Sequence, residues 1–126
     1  MPTASLSGVR VLIVEDEMMV SMLLEDMLTE IGCTPVGPAT RVESALELVE
    51  SGDFDVAILD VNLNGNDSYP IADALAEHAL PFVFASGYSA EGLKGEYRAV
   101  PSLRKPFQQQ ELEKTLSAAL RQQPGC

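Results

Sequence analysis

A single acidic residue, Asp60, stands at the end of a short, unbroken apolar run near the middle of the chain. The run is Val56-Ala-Ile-Leu59, and such a run is typical of a strand buried on both faces of a parallel sheet. Asp60 would then lie where the strand leaves the core, at the edge where doubly wound folds carry out their chemistry. The simpler alternative is that Asp60 only opens a turn, as Asp often does.

Three other strand-like segments also end in groups that are suited to phosphoryl chemistry. Because the carboxyl ends of parallel strands meet at one edge of a sheet, we expect these groups to lie near Asp60. No single one is decisive, since each has an ordinary explanation as a solvated strand end, a turn serine or a surface lysine. The groups are Glu15 and Asp16 after Val11–Val14, Ser86 after Phe82–Ala85, and Lys105 after the segment 100–103.

Three carboxylates at one edge repel each other at neutral pH, and a bound cation relieves that repulsion. Oxygen ligands without His or Cys favour Mg²⁺, which takes one or two carboxylates, several waters and a phosphoryl oxygen. We predict Asp16 and Asp60 as direct ligands, Glu15 as a ligand through water, and the backbone carbonyl of Asn62 as a further ligand. Ser86 would donate its hydroxyl to a phosphoryl oxygen, and Lys105 would supply a mobile cation.

The elements that must position these groups alternate between strand and helix, which predicts an α/β fold with a five-stranded parallel sheet. The second strand, Thr34-Pro-Val36, and the fifth, around 100–103, are the weakest and belong at the edges. The strand order 2-1-3-4-5 satisfies this requirement. It is the flavodoxin-like doubly wound arrangement, and its switch point places Glu15 and Asp16 beside Asp60.

The helices between these strands differ in quality. The first carries an apolar stripe, and its methionines are expected to pack in the core rather than to form a partner surface. Thr40 and Glu43 predict a capping box for the second helix, and a polar loop is expected over 62–68. The fourth helix, near 90–97, contains Gly92 and Gly95, each of which costs about 1 kcal/mol relative to Ala.

Composition limits the possible functions. The length of 126 residues predicts one domain, which we place over 9–122 between short tails (1–8 and 123–126). The net charge of −11 argues against nucleic-acid binding. No segment resembles a signal peptide or a membrane span, so we expect a cytoplasmic protein. We also expect it to be a monomer. Cys33 and Cys126 have no metal-ligand spacing; Cys33 should pack as an apolar residue.

These residues resemble the receiver domain of two-component response regulators over nearly the whole chain. The resemblance rests on Glu15-Asp16, Asp60, Ser86 and Lys105-Pro-Phe107. The segment Pro81-Phe-Val-Phe-Ala-Ser-Gly-Tyr88 is also similar to the signature of single-domain FATGUY receivers, with Ser86 in place of the usual Thr. The resemblance implies a (βα)5 receiver fold, a requirement for Mg²⁺, and phosphorylation of Asp60 by a histidine kinase or a histidine phosphotransfer protein. It also implies a signalling module rather than an enzyme.

Two positions depart from the family pattern. Ser102 stands three residues before Lys105, where many receivers carry an aromatic residue that reports phosphorylation. We therefore expect Tyr88, two residues after Ser86, to act as the switch instead. The loop Asn62-Leu-Asn-Gly-Asn66 replaces the common Asp-x-x-Met-Pro sequence, so the lifetime of the phosphoryl group cannot be transferred from the family.

Two other functions compete with a stand-alone phosphoacceptor. A phosphatase of the haloacid dehalogenase type also phosphorylates an Asp after a strand, but it needs a second Asp as acid and base; Asn62 stands at that position. A degenerate receiver that serves only as an interaction domain is the second rival. It is disfavoured because all the pocket positions carry competent groups. The only histidine, His78, is expected on a solvent-facing helix surface and not in the site.

Overall fold

The computed structural model describes residues 6–60, 62–63, 66–86, 102–104 and 107–121. Within these residues, seven strands and four helices follow one another along the chain. They are β1 (Arg10–Val14), α1 (Met18–Ile31), β2 (Thr34–Ala39), α2 (Val42–Ser51), β3 (Val56–Asp60), β4 (Asn62–Leu63), β5 (Asn66–Asp67), α3 (Tyr69–Glu77), β6 (Phe82–Ser86), β7 (Ser102–Arg104) and α4 (Gln109–Arg121). The predicted fourth helix near 90–97 lies outside the described residues.

The main sheet has five parallel strands in the order β2-β1-β3-β6-β7. Strands β4 and β5 form a separate antiparallel pair, so this order is the predicted 2-1-3-4-5. The flavodoxin-like prediction is therefore confirmed. Strands β1, β3 and β6 are central, and β2 and β7 lie at the edges, as their weaker sequences predicted.

Each face of the sheet carries its own hydrophobic core, because successive strand residues point to opposite faces. Val11 and Ile13 of β1 pack in the core that contains residues of α1 and α4. Leu12 and Val14 of the same strand pack in the core that contains residues of α2 and α3. Among the described residues, the two helix layers hold the sheet between them, and Val11–Val14 of β1 and Val56–Asp60 of β3 are buried. No helix in the described part of the chain is long and apolar enough to cross a membrane.

Helix α1 corrects the prediction made for its methionines. Met18, Met19 and Met22 are 74%, 84% and 57% exposed, so the expectation that they pack in the core is wrong. The helix buries a narrow line consisting of Ser21, Leu24 and Leu28. Leu23, which we expected to face the core with Leu24 and Leu28, is also exposed. The first turns of α1 therefore present an apolar surface to solvent.

Three local predictions also need correction. The segment 62–68, predicted as a polar loop, contains the β4–β5 pair, with Asn62 opposite Asp67 and Leu63 opposite Asn66. Strand β2 continues to Ala39, beyond the predicted Thr34–Val36. The N-cap of α2 is Arg41, and its side chain makes no capping hydrogen bond. The predicted capping box of Thr40 and Glu43 is therefore not the cap of this helix.

Leu6, which precedes β1, packs into the domain, although residues 1–8 were expected to form a tail. Leu6 is buried in the core beneath α1 and α4. The backbone N–H of Gly8 donates to Gly32 O (2.9 Å), and the Cys33 thiol donates to Leu6 O (3.5 Å). Cys33 is buried as expected, and this burial raises the pKa of its thiol.

At the edge of the sheet opposite the carboxyl ends of its strands, Arg10 is paired with Asp55. The backbone N–H of Arg10 donates to Asp55 Oδ2 (2.8 Å), and its guanidinium Nη2 lies 3.3 Å from Oδ1. Partial burial raises the pKa of the Asp55 carboxyl, but the hydrogen bonds from Arg10 outweigh it and hold this pKa below its ordinary value. The pair fixes the start of β1 to the residue that precedes β3.

Candidate functional site

The carboxyl ends of β1 and β3 bring three acidic side chains together. Val14 at the end of β1 lies in register with Leu59 of β3. The residues that follow, Glu15 and Asp16 on one side and Asp60 on the other, therefore meet at the same edge of the sheet. One carboxylate oxygen from each of the three lies within 4.8 Å of the other two. This is the juxtaposition that the strand order predicted.

Two of the three carboxylates are withdrawn from water. Glu15 is 2% exposed and Asp60 is 8% exposed, whereas Asp16 is half-buried. The backbone N–H of Glu17 donates to Glu15 Oε2 (3.1 Å), and the N–H of Glu15 donates to Ala39 O (3.0 Å). These bonds fix the turn that leaves β1 and hold the Glu15 carboxylate beside the cluster.

This donor set fits a magnesium ion. The three groups provide only oxygen ligands, which suit Mg²⁺ rather than a metal that prefers sulfur or imidazole. Negative charges that share a partly buried site stabilise a bound cation and destabilise the site without one. Asp16, Asp60 and Glu15 thus lie close enough to one another to hold such an ion together. The distances within the cluster do not distinguish a direct ligand from one that binds through water. The predicted role of Glu15 as a ligand through water therefore stays a prediction.

The other predicted site residues are placed less completely. Ala85 lies in register with Asp60, so the backbone of Ser86, the last residue of β6, lies one position further along the neighbouring strand. Asn62 begins β4, two residues after Asp60, and the role of its carbonyl stays a prediction. Lys105 follows the last residue of β7, and both Lys105 and Tyr88 lie outside the described residues.

His78 is not part of the site. It ends α3 on the solvent side, where its Nε2 lies 3.4 Å from Glu50 Oε2. The sequence prediction that it is a surface residue is therefore confirmed. Cys33, buried near Leu6 on the α1 side of the sheet, also takes no part in the acidic cluster.

Sequence reasoning missed a cavity next to the acidic cluster. It has a volume of about 260 Å³ and lies between the first turns of α1 and the end of β2. Glu15 and Asp16 line it together with Met18, Met22, Glu25 and Pro38. The signal was present in the run of methionines directly after the acidic pair, but helical periodicity alone did not show that these side chains face outward.

The β4–β5 pair was also missed, although the sequence carried a signal for it. Asn64-Gly65 separates the two strands, and Asn-Gly between short segments is a strong indicator of a two-residue hairpin. The prediction of a loop used only the polar character of the segment. The hairpin lies between Asp60 and α3, so it belongs to the surroundings of the site.

Comparisons with known proteins agree with this geometry. The family model described as the response regulator receiver domain matches residues 11–117. Among curated proteins, the transcriptional regulatory protein TcrA of Mycobacterium tuberculosis is 36% identical over 94% of this chain and 48% of its own length. The sensory transduction protein LytT of Bacillus subtilis is 34% identical over 85% of this chain and 46% of its own length. The chain thus spans about half the length of these relatives.

Solved structures give the same result. SdrG from Sphingomonas melonis is 45% identical, with a TM-score of 0.81 over 94% of this chain and 99% of its own. The receiver domain of PhyR from Erythrobacter litoralis is 28% identical, with a TM-score of 0.82 over 98% of both chains. The acidic cluster at the switch point of the sheet and these matches lead to one conclusion: the chain belongs to the response regulator receiver family of two-component signalling.

Proposed function

We propose that this protein receives a phosphoryl group on Asp60 from a phosphohistidine of a histidine kinase or a histidine phosphotransfer protein. The observation that carries the proposal is the position of Asp60. It is the acid that ends the central strand β3, and it lies within 4.8 Å of both Glu15 and Asp16. The phosphatase alternative is disfavoured because that enzyme needs an acid where Asn62 stands.

In the proposed step, a carboxylate oxygen of Asp60 attacks the phosphorus atom in line with the departing imidazole nitrogen. The new O–P bond forms as the N–P bond breaks, and the electron pair of that bond leaves with the imidazole. The product is an acyl phosphate on Asp60, and no oxidant or further reactant is needed. The buried surroundings of Asp60 exclude bulk water from its carboxylate, which favours attack by Asp60 over hydrolysis of the donor.

The other residues of the chain have supporting roles in this proposal. Glu15 and Asp16 would hold Mg²⁺ with Asp60, and the ion, when bound, supplies positive charge to the transferring group. Ser86 would donate its hydroxyl to a phosphoryl oxygen after transfer, and Lys105 would bind a second oxygen. The phosphorylated protein would then signal in the cytoplasm through altered protein contacts. That it acts without an attached output domain, as a monomer, stays a prediction.

Intact mass measurement tests the proposal directly. The protein is incubated with a small phosphodonor such as acetyl phosphate, with Mg²⁺ or with a chelator. We expect a mass gain of one phosphoryl group only with the divalent cation, and no gain for Asp60→Asn. Asp26→Asn, an exposed carboxylate on α1, is the matched control and should be modified like the wild type. Modification of Asp60→Asn at the wild-type level would overturn the assignment.

A further inference from the structure

Ser68, the residue that precedes α3, carries a buried hydroxyl group that is not used. The residue is fully buried, and in the described part of the chain its Oγ has no hydrogen-bond partner. Buried hydroxyls in native proteins nearly always have a partner, because an unsatisfied one loses its interaction with water and gains nothing in return. A second conformation that gives this hydroxyl a partner would therefore be favoured by the hydrogen bond that it gains.

The backbone at Ser68 explains why the hydroxyl is unused. Ser68 is the N-cap of α3, a position where serine normally has an extended backbone and accepts a hydrogen bond on Oγ from the second or third helical N–H. The N-cap residues of α1 and α2 are extended, with ψ values of 114° and 158°. Ser68 has a ψ of 11° and makes no side-chain capping bond. It is therefore an N-cap serine in a conformation that does not cap.

One backbone donor is available for a capped form of α3. The second helical residue is Pro70, which has no N–H, so the donor for Ser68 Oγ would be the N–H of Ile71. In the structure, the N–H groups of Ile71 and Ala72 both donate to Ser68 O (3.0 and 3.1 Å). Ser68 O can release Ile71 and keep the bond from Ala72, which is the ordinary arrangement of a capped helix.

A rotation about ψ of Ser68 would produce the capped form. This rotation leaves the Ser68 carbonyl in the helix and moves the Ser68 side chain together with the chain before it. The helix itself is held in place, because the ring of Tyr69 packs edge-on against Phe84 of β6, with ring centroids 6.0 Å apart. The part that would move is therefore the β4–β5 pair and not α3.

The β4–β5 pair connects Ser68 to the phosphoacceptor. Strand β4 begins at Asn62, two residues after Asp60. Asn62 lies opposite Asp67, the residue directly before Ser68. Because the two short strands are paired, a displacement of the chain beside Asp60 is carried across the pair to Ser68.

We infer that Ser68 is a positioning residue for phosphorylation: it is the hinge between the β4–β5 pair and α3, and a phosphoryl group on Asp60 selects a second form in which its hydroxyl caps α3. This inference rests on the proposed function. A phosphoryl group adds negative charge and acceptor oxygens beside the residues that follow Asp60, so the β4–β5 pair must adapt to it. The same rotation would reposition Asn62, whose carbonyl we predict as a ligand of Mg²⁺.

The ¹³C chemical shifts of Ser68 test the rotation, because Cα and Cβ shifts depend on ψ. They are measured with Mg²⁺ alone and with Mg²⁺ and beryllofluoride, a mimic of the phosphoryl group on aspartate. We expect beryllofluoride to move both shifts towards the values of an extended residue, and to change the amide signal of Ile71 more than that of Ala72. Unchanged Ser68 shifts with beryllofluoride bound would overturn the inference. If beryllofluoride leaves the signals of Glu15, Asp16 and Asp60 unchanged, the proposed function fails instead.

Ser68→Ala tests the use of the hydroxyl in each form. Replacing an N-cap serine by alanine ordinarily destabilises a protein. Here the thermal midpoint of the free protein should not fall, because the variant removes a buried hydroxyl that makes no hydrogen bond. Binding of beryllofluoride should become about fivefold weaker, the effect of losing one N-cap hydrogen bond.

Ser51→Ala is the matched control for this variant. It removes an exposed hydroxyl at the end of α2, which donates to Leu48 O (2.8 Å), and it should leave the affinity for beryllofluoride unchanged. A lowered thermal midpoint for Ser68→Ala would show that the hydroxyl already has a partner, such as a buried water. An affinity equal to that of the wild type would show that the phosphorylated form does not use it. Either result would overturn the inference.

Discussion

Val14 at the end of β1 lies directly opposite Leu59 on the neighbouring strand β3. This register makes the next residues of both strands, Glu15 and Asp60, neighbours at the edge of the sheet. A shift of one residue in either strand would turn its side chains to the opposite face. The proximity of Glu15 and Asp60 is therefore set by strand pairing in the core, and the turn after β1 adds Asp16 to them.

The first prediction concerns the charge of that cluster. Without divalent cations, Asp60→Asn should raise the free energy of unfolding by up to about 1 kcal/mol, because it removes one of three mutually repelling carboxylates. Mg²⁺ should stabilise the wild type by about 2.7 kcal/mol at a concentration one hundred times its Kd. Urea unfolding of both proteins, with and without Mg²⁺, measures these effects. A mutant that gains as much from Mg²⁺ as the wild type would contradict the proposed ligand role of Asp60.

The second prediction concerns Gly37, which supports the site from the end of β2. Its φ is +95°, and a Cβ atom there would lie 2.9 Å from Ala39 N and 3.1 Å from Ile13 O. Gly52 also has a positive φ, +68°, but has open space around it. Gly52→Ala should cost about 1–2 kcal/mol of stability from backbone conformation alone.

Gly37→Ala should lower the free energy of unfolding by the same amount as Gly52→Ala, about 1–2 kcal/mol. Overlap of the new Cβ atom with the backbone should lower it by a further ~1–3 kcal/mol. Because Ala39 O accepts the hydrogen bond from Glu15 N, Gly37→Ala should also weaken Mg²⁺ binding, whereas Gly52→Ala should not. Thermal unfolding and calorimetric Mg²⁺ titration of the two variants provide the comparison. Equal losses of stability in both would show that the close contacts at Gly37 are unimportant.

The third prediction concerns acid sensitivity at the opposite end of the sheet. The pKa of Asp55 in the folded protein lies below its ordinary value of 3.8. A carboxyl with a lowered pKa contributes stability above its ordinary pKa, and this contribution is lost as the pH falls through its pKa in the folded state.

At neutral pH, Asp55→Asn should therefore lower the free energy of unfolding by about 0.2–1 kcal/mol, a range that suits a pair with both side chains 40–50% exposed. The difference from the wild type should shrink as the pH falls below 3.8. Urea unfolding at a series of pH values measures it, with the exposed Asp26→Asn on α1 as the control. A difference that grows on acidification would contradict the pairing with Arg10.

The fourth prediction concerns the response to phosphorylation. Ser102 begins β7 at the position where many receivers carry an aromatic switch, so we expect Tyr88 and the segment 86–97 to change most. Hydrogen exchange on the free and phosphorylated protein should show the largest difference there. Tyr88→Ala should uncouple partner binding from phosphorylation and leave modification of Asp60 intact. Unchanged exchange in this segment, with a response on another face, would contradict the prediction.

Much of the fold could be predicted because the strands are simple in sequence. The continuous apolar runs of β1, β3 and β6 are buried on both faces, so no choice of face was needed to identify them. The acids at the ends of β1 and β3 then met at the switch point as a consequence of strand order. The proposal of phosphoryl chemistry at Asp60 followed from residue types and from the family resemblance, and both are properties of the amino-acid sequence alone.

Helix α1 shows where sequence reasoning failed. An apolar residue on a helix is placed inside or outside by the rotation of the helix about its axis, and this rotation is set by packing against the sheet. Ser21 took a buried position while Met22 and Leu23 turned outward. When apolar residues also occupy the outer positions, the apolar pattern cannot show which side of the helix faces the sheet. The cavity beside Asp16 was missed for the same reason.

The edge strand β2 has a consequence for how copies of this protein behave towards each other. The backbone N–H of Thr34 points inward and donates to Val9 O (2.8 Å). Because alternate residues of a strand direct their backbone groups to opposite sides, Pro35 lies on the outward side, where it has no N–H to offer. A strand from another molecule that approached β2 would therefore find no N–H donor at Pro35. This edge of the sheet is thus protected against edge-to-edge aggregation, and the protection is independent of the acidic surface charge.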